Sequence, residues 1–197
     1  MDRAKIALSA EELRLVSDPS VIFMKNSIIS KVYALFGELS TAAVARFQLP
    51  AEVSGIPPKI ARGEAYKGLP YVMLDYPRYF TATDVFALRT FFWWGRYVSV
   101  TLHVKGAYRD RMAQELLNNL ALITENIYLS TDGEEWDHDL EGGGYRVFSG
   151  QATAAESVLI REGSFLKISC FRKLEEWDTL HEWLERIHSE FGKLIRY

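Results

Sequence analysis

The chain reads as an α+β protein, a mainly antiparallel sheet with a central hairpin packed on N-terminal and C-terminal helices. Three observations predict this. Residues 9–49 place apolar side chains at helical spacing, and residues 174–195 do so again at the other end. Between them, 85–94 and 97–104 are β-branched and aromatic runs separated by Gly95-Arg96, the pattern of a β-hairpin. At 197 residues the whole chain, 1–197, is expected to form one domain, with 59–172 as its sheet-rich part.

Taken in order, Ser9-x-x-Glu12 is a capping box opening a short helix, with Leu13 and Val16 expected on its buried face. Asp18 then caps, and Pro19 starts, a second helix reaching about Phe47. Ile22, Phe23, Ile29, Val32, Tyr33, Phe36, Leu39 and Val44 predict burial along much of its length, with Gly37 a point where it bends or divides. Residues 50–58, with three prolines and Gly55, connect helix to sheet. A short strand at 59–61, a turn around Lys67-Gly68 and an apolar strand at 71–76 ending at Pro77 follow. In the hairpin's second arm Val98, Val100, Leu102 and Val104 fall on one face, and Tyr97, Ser99, Thr101 and His103 on the other. The first arm has bulk on both faces, which predicts a central strand covered on both sides or lining a pocket. Residues 107–122 form an amphipathic helix, the one segment able to serve as a crossover. Strands follow at 127–130, 145–148 and 165–171, with 156–161 open between strand and helix. A closing helix buries Leu174, Trp177, Leu180, Leu184, Ile187 and Phe191.

Hydrophobic residues make up 48% of the chain and charged residues 25%, which excludes a wholly disordered, collagen-like or coiled-coil chain. The longest apolar runs fall short of the roughly 18 residues of a membrane span, and Asp2, Arg3 and Lys5 argue against a secretory signal. A lone cysteine, Cys170, makes no internal disulfide and reads as a packing group, so a cytoplasmic setting is the default and no membrane partner is expected. The net charge of −3 hides an asymmetry. Residues 59–111 hold nine basic against four acidic side chains, and residues 112–164 hold two against ten. These segments either neutralise each other, within one fold or across a dimer interface, or leave an anion site in the basic stretch. Duplex nucleic acid is not an expected partner, because an acidic chain lacks the basic footprint that phosphate binding needs.

The basic stretch interleaves Arg62, Lys67, Tyr71, Arg89, Trp93 and His103, a set suited to binding a small anionic ligand by guanidinium forks among water-excluding rings. The alternative for the same residues is that the rings are core and the arginines pair with Asp75, Asp84 or the acidic loop. His103 beside Arg89 would have its charged form disfavoured and could serve as a base, the route to a small enzyme. The acidic loop 132–141 holds Asp132, Glu134, Glu135, Asp137, His138, Asp139 and Glu141, and a third role is docking onto a basic protein. Its spacing is not that of a calcium loop. His181, Glu185 and His188 share a helical face, but the two histidines lie ~10 Å apart along the axis, too far to hold one ion. No metal and no cofactor is therefore expected, and neither a phosphate-cradling glycine loop nor a nucleophile elbow is present.

The run Arg62-Gly63-Glu64-Ala65-Tyr66-Lys67-Gly68-Leu69-Pro70-Tyr71, leading into a strand and a Trp-rich hairpin, resembles a group of conserved bacterial proteins without an assigned activity. Its Tyr-Lys-x-Leu-Pro portion before an apolar strand is also similar to the YktB-like family, of comparable length and α+β character. The likeness covers under a fifth of the chain and implies the fold class; it carries over no catalytic residue. The leading expectation is a non-enzymatic protein that binds a small anionic ligand on its Arg/aromatic sheet face and associates with a second copy of itself.

Overall fold

A computed structural model of the chain describes residues 6–130, 133–150 and 153–195. Its centre is a seven-stranded, wholly antiparallel sheet: β1 (Lys59–Tyr66), β2 (Leu69–Phe80), β3 (Val85–Trp93), β4 (Tyr97–Lys105), β5 (Ile127–Ser130), β6 (Tyr145–Phe148) and β7 (Phe165–Lys173), in the order β1-β2-β3-β4-β7-β5-β6. The helices are α1 (Ala10–Val16), α2 (Ser20–Arg46), α3 (Ala51–Ser54), α4 (Ala107–Asn119), α5 (Ala154–Glu162) and α6 (Leu180–Leu194). The molecule is α+β, with helices at both ends of the chain.

Turn chemistry sets the first half of the sheet. Lys67 and Gly68 have φ of 47° and 82° between the paired Tyr66 and Leu69, a tight two-residue turn matching the strand twist. Gly95, at φ 70°, lets Trp93 pair with Tyr97 across three loop residues. The strand expected to stop at Pro77 instead runs on to Phe80. Its register with β3 shifts between Asp75 and Arg78, so the proline falls at an irregularity where its missing N–H breaks no ladder bond. Likewise β1 continues to Tyr66 rather than stopping at Ala61. Helix α4 carries the chain from β4 to β5, and β7 later enters between those two strands. The ambiguous 156–161 segment is helical, opened by a Thr153–Glu156 capping box.

One sheet face is apolar and lies under α2, α4 and α6. Leu74, Phe86, Leu88, Leu102 and Ile168 meet Phe36, Leu116, Trp183 and Phe191 there, all nearly or fully buried. Cys170 belongs to this face, and burial pushes its thiol well up. Helix α2 runs unbroken through Gly37. It packs through its middle, where Ile29, Val32, Phe36, Leu39 and Ala43 are buried, whereas Ile22 and Phe23 in its first turns and Val44 in its last are exposed. Helix α1 has its capping box but buries nothing; Leu13 and Val16 are 56% and 71% exposed. An amphipathic pattern supplies an apolar stripe, and among the described residues none lies across it. At the other end, a 3-10 stretch (Leu174–Thr179) precedes α6, leaving Leu174 and Trp177 half-buried. His188 faces inward, its Nε2 2.7 Å from Thr90 Oγ1, while His181 lies outside near Glu38. Those two histidines do not share an environment.

Candidate functional site: the loop-covered sheet face

Strand alternation dictates what the opposite face carries. Antiparallel partners point the same way, so Tyr71, Asp75, Arg89, Phe91, Trp93, Tyr97, Thr101, His103, Lys167, Ser169, Phe171 and Lys173 share this side. Arg62 pairs with Val72, on the helix-covered side, and is exposed there. Among the expected ligand residues, then, Lys67, Tyr71, Arg89, Trp93 and His103 are brought to one face, and Arg62 is not.

The face is not open. Residues 133–144 fold back over it, and Glu135, Asp137, Asp139 and Glu141 turn toward its cations, while Glu134 stays exposed. Lys67 lies 3.1 Å from both Asp137 and Asp139, Arg96 3.0 Å from Glu141, Lys105 2.7 Å from Glu135 and Lys173 2.5 Å from Glu141. Beneath this rim, Arg89 donates to both Asp75 oxygens at 2.7 and 2.8 Å and lies 2.7 Å from His138 Nε2. Lys167 Nζ donates to the carbonyls of Glu135 and Asp137. Asp132, the first acidic residue of the loop, lies outside the described residues.

Three tyrosines complete the fastening. Tyr66 donates to Asp137 Oδ1 (2.6 Å) and accepts from the His138 N–H (2.7 Å). Tyr97 donates to the His138 carbonyl (3.0 Å) and accepts from the Leu140 N–H (2.8 Å), and Tyr145 donates to the Asp137 carbonyl (2.9 Å). Burial raises the pKa of all three, so each keeps the proton it donates. Gly143, at φ 92°, gives the loop the sharp turn that returns it to β6.

The rings serve as floor. Tyr71 stacks on Phe91 at 5.2 Å and lies across the β1 backbone at Gly63, where a Cβ would meet its ring at 2.5 Å. Trp93 sits under Tyr66 and Tyr97, with the Arg96 guanidinium over it at 5.1 Å. The tryptophan is 2% exposed, so it offers no surface anchor.

Burial with so many charges shifts the titrating groups. Desolvation, reinforced by Lys167, Arg89 and Lys105, pushes His103 down to about 3. Desolvation and the same Lys167 and Arg89 charges put His138 well below its ordinary range. Lys167 falls to about 7, chiefly from burial, with Asp137 and Glu135 opposing the drop. The arginine's histidine neighbour is thus His138, where the sequence suggested His103. His103 Nε2 instead lies 3.3 Å from Glu135 Oε1, misaligned for a hydrogen bond, and the neutral ring makes no ion pair there.

The space beside Arg89 where the sequence suggests a small anion is filled by the loop, and the guanidinium is held by Asp75 and His138. Sequence reasoning missed Lys167 and Glu135 as inner groups and His138 as a partner of the sheet. A lone cation in the apolar strand Phe165-Leu166-Lys167-Ile168 was the available signal. Among the described residues no cluster of histidine, cysteine, aspartate or glutamate has the geometry to hold a metal ion. No protein-family model matches the chain, and no similar curated protein or solved structure was found.

Proposed function

We propose that this is a non-enzymatic binding protein whose basic, aromatic sheet face takes a small polyanionic ligand, with residues 135–141 acting as a displaceable internal substitute for it. One observation carries this reading. Six cations of the face and its rim, Lys67, Arg89, Arg96, Lys105, Lys167 and Lys173, bond to that one seven-residue run, while Lys59 and Arg78 stand on the same side toward the β1–β2 edge, Arg78 donating to the Pro57 carbonyl. Without the run, Asp75 is the one carboxylate on the strands that meets these cations, and the face would attract anions strongly. Docking of the loop onto a basic protein has less support, because four of its carboxylates, Glu135, Asp137, Asp139 and Glu141, are only 13–35% exposed and already paired, while Glu134 is exposed.

Calorimetric titration with citrate and with inorganic phosphate tests the proposal. Asp137→Asn with Asp139→Asn weakens the substitute and is expected to tighten citrate binding roughly tenfold, about 1.4 kcal/mol. Lys67→Ala with Arg96→Ala is expected to abolish it. No binding heat from either anion, in the native chain and in the loop variant alike, would overturn the reading.

A further inference from the structure

A different part of the molecule carries a second conclusion. The α1–α2 arm leaves nine large apolar side chains between Ile6 and Met24 exposed by 42–74%. Val21, Ile22, Phe23 and Met24 are consecutive, so the opening turn of α2 is apolar on every side; a helix turn of that kind is stable when something encloses it. Taking on the order of 200 Å² per large apolar residue, the arm offers roughly 1,000 Å², above the largest patch of a typical monomer and comparable to the ~800 Å² each partner gives to a standard interface.

We infer that this arm is a homodimer interface, covered by the arm of a second copy of the chain. The surface has the two complementary parts that a two-fold contact needs. Leu8, Leu15, Val16, Val21, Ile22 and Phe23 line a cleft of about 750 Å³ between the two helices. Val21, Met24, Ile28 and Lys31 recur at intervals of three, four and three, the spacing of a helix-pairing seam. That seam leads from the arm into an apolar groove of about 460 Å³, where Ile28 and Lys31 meet Phe92, Trp94, Leu174 and Trp177. The half-buried Trp94, Leu174 and Trp177 thereby gain a cover as well.

Charge favours a second copy over lipid. Residues 6–31 hold three acidic and three basic side chains, whereas a helix lying on a membrane presents a Lys/Arg-rich polar face. By length and composition α2 could span a bilayer, but its second part is committed to the sheet through Ile29, Val32, Phe36 and Leu39. Only its first turns remain free.

Sedimentation velocity on the full chain tests the inference. The expected result is a dimer whose dissociation constant rises at least a hundredfold in Ile22→Glu with Phe23→Glu. Both side chains are exposed, so the far-UV spectrum and unfolding midpoint of the monomeric variant should stay close to native. A native chain that is monomeric at micromolar concentration would overturn the inference. So would a dimer that survives the double substitution, or a monomer that co-floats with phosphatidylcholine–phosphatidylglycerol vesicles.

Discussion

The two faces of the sheet are built from alternate residues of the same strands, yet they are held by different physics. Val98, Val100, Leu102 and Val104 sit at or below 1% exposure under helices. Tyr97, Ser99, Thr101 and His103 are buried as deeply, beneath a loop. On the first face burial is favourable in itself, roughly 1.5–3 kcal/mol for each large side chain. On the second, every buried donor and charge must find a partner to offset its desolvation, so net stabilisation is small and geometry is everything. Equal burial therefore does not mean equal stability: the helix-covered face contributes most of it, and the loop-covered face rests on polar partners that the proposed anion would replace.

That contrast yields graded expectations for denaturant unfolding. Trp183→Ala, in the centre of the helix-covered face, should cost the most, about 3–5 kcal/mol, because it leaves a cavity. Asp75→Ala comes next at about 3 kcal/mol, since it strands the Arg89 guanidinium with its charge uncompensated. Replacing both partners, Asp75→Leu with Arg89→Met, should recover most of that loss; a double variant as unstable as the sum of the singles would mean the pair is not coupled. On the rim, Lys67→Ala and Lys173→Ala should each cost under about 1 kcal/mol, discounted for solvent screening, and the effect should fade in high salt.

The loop-covered face also predicts a pH dependence, with a contribution from His188 on the other side. Folded-state pKa values lie below the ordinary ones for His103 (about 3 against 6.5), His188 (about 4 against 6.5) and Lys167 (about 7 against 10.5). In each window the unfolded chain binds more protons, so stability rises with pH. The histidine contribution is complete above 6.5 and is lost as pH falls toward 4. The lysine contribution is complete only above 10.5 and is lost as pH falls toward 7. Unfolding midpoints at pH 5, 7 and 9 should therefore increase in that order, and the step from 5 to 7 should shrink in His103→Gln. A flat profile would mean that these groups are solvated in the folded state.

Much of this was legible in the strands. The alternation of 97–104 assigns each residue to its face, and bulk on both sides of 85–93 marks a central strand covered twice. The opposed charge of 59–111 and 112–164 resolves as neutralisation within the fold: Lys67 and Asp139, 72 residues apart, are ion-paired. What local pattern could not give is which segment covers which. Arg89 looks equally suited to an anion, to Asp75 or to the loop until the chain is folded. Leu13 and Val16 look like a buried stripe whether or not a partner lies across them. Register across a bulge is similarly invisible, which is why Pro77 reads as a strand end. Most residues of the loop-covered face, Arg89, Trp93 and His103 among its buried ones, could be named from sequence; Lys167, and the inward placement of Glu135 and His138, required the fold.

Amide hydrogen exchange at Leu140 and His138, whose N–H groups are held by Tyr97 and Tyr66, probes the proposed displacement of the loop most directly. Citrate should accelerate exchange at these two amides and across 135–141 while leaving the central β3–β4 ladder protected. Unaltered protection of the loop under saturating citrate, or deprotection of loop and ladder together, would contradict a cover that yields to an anion.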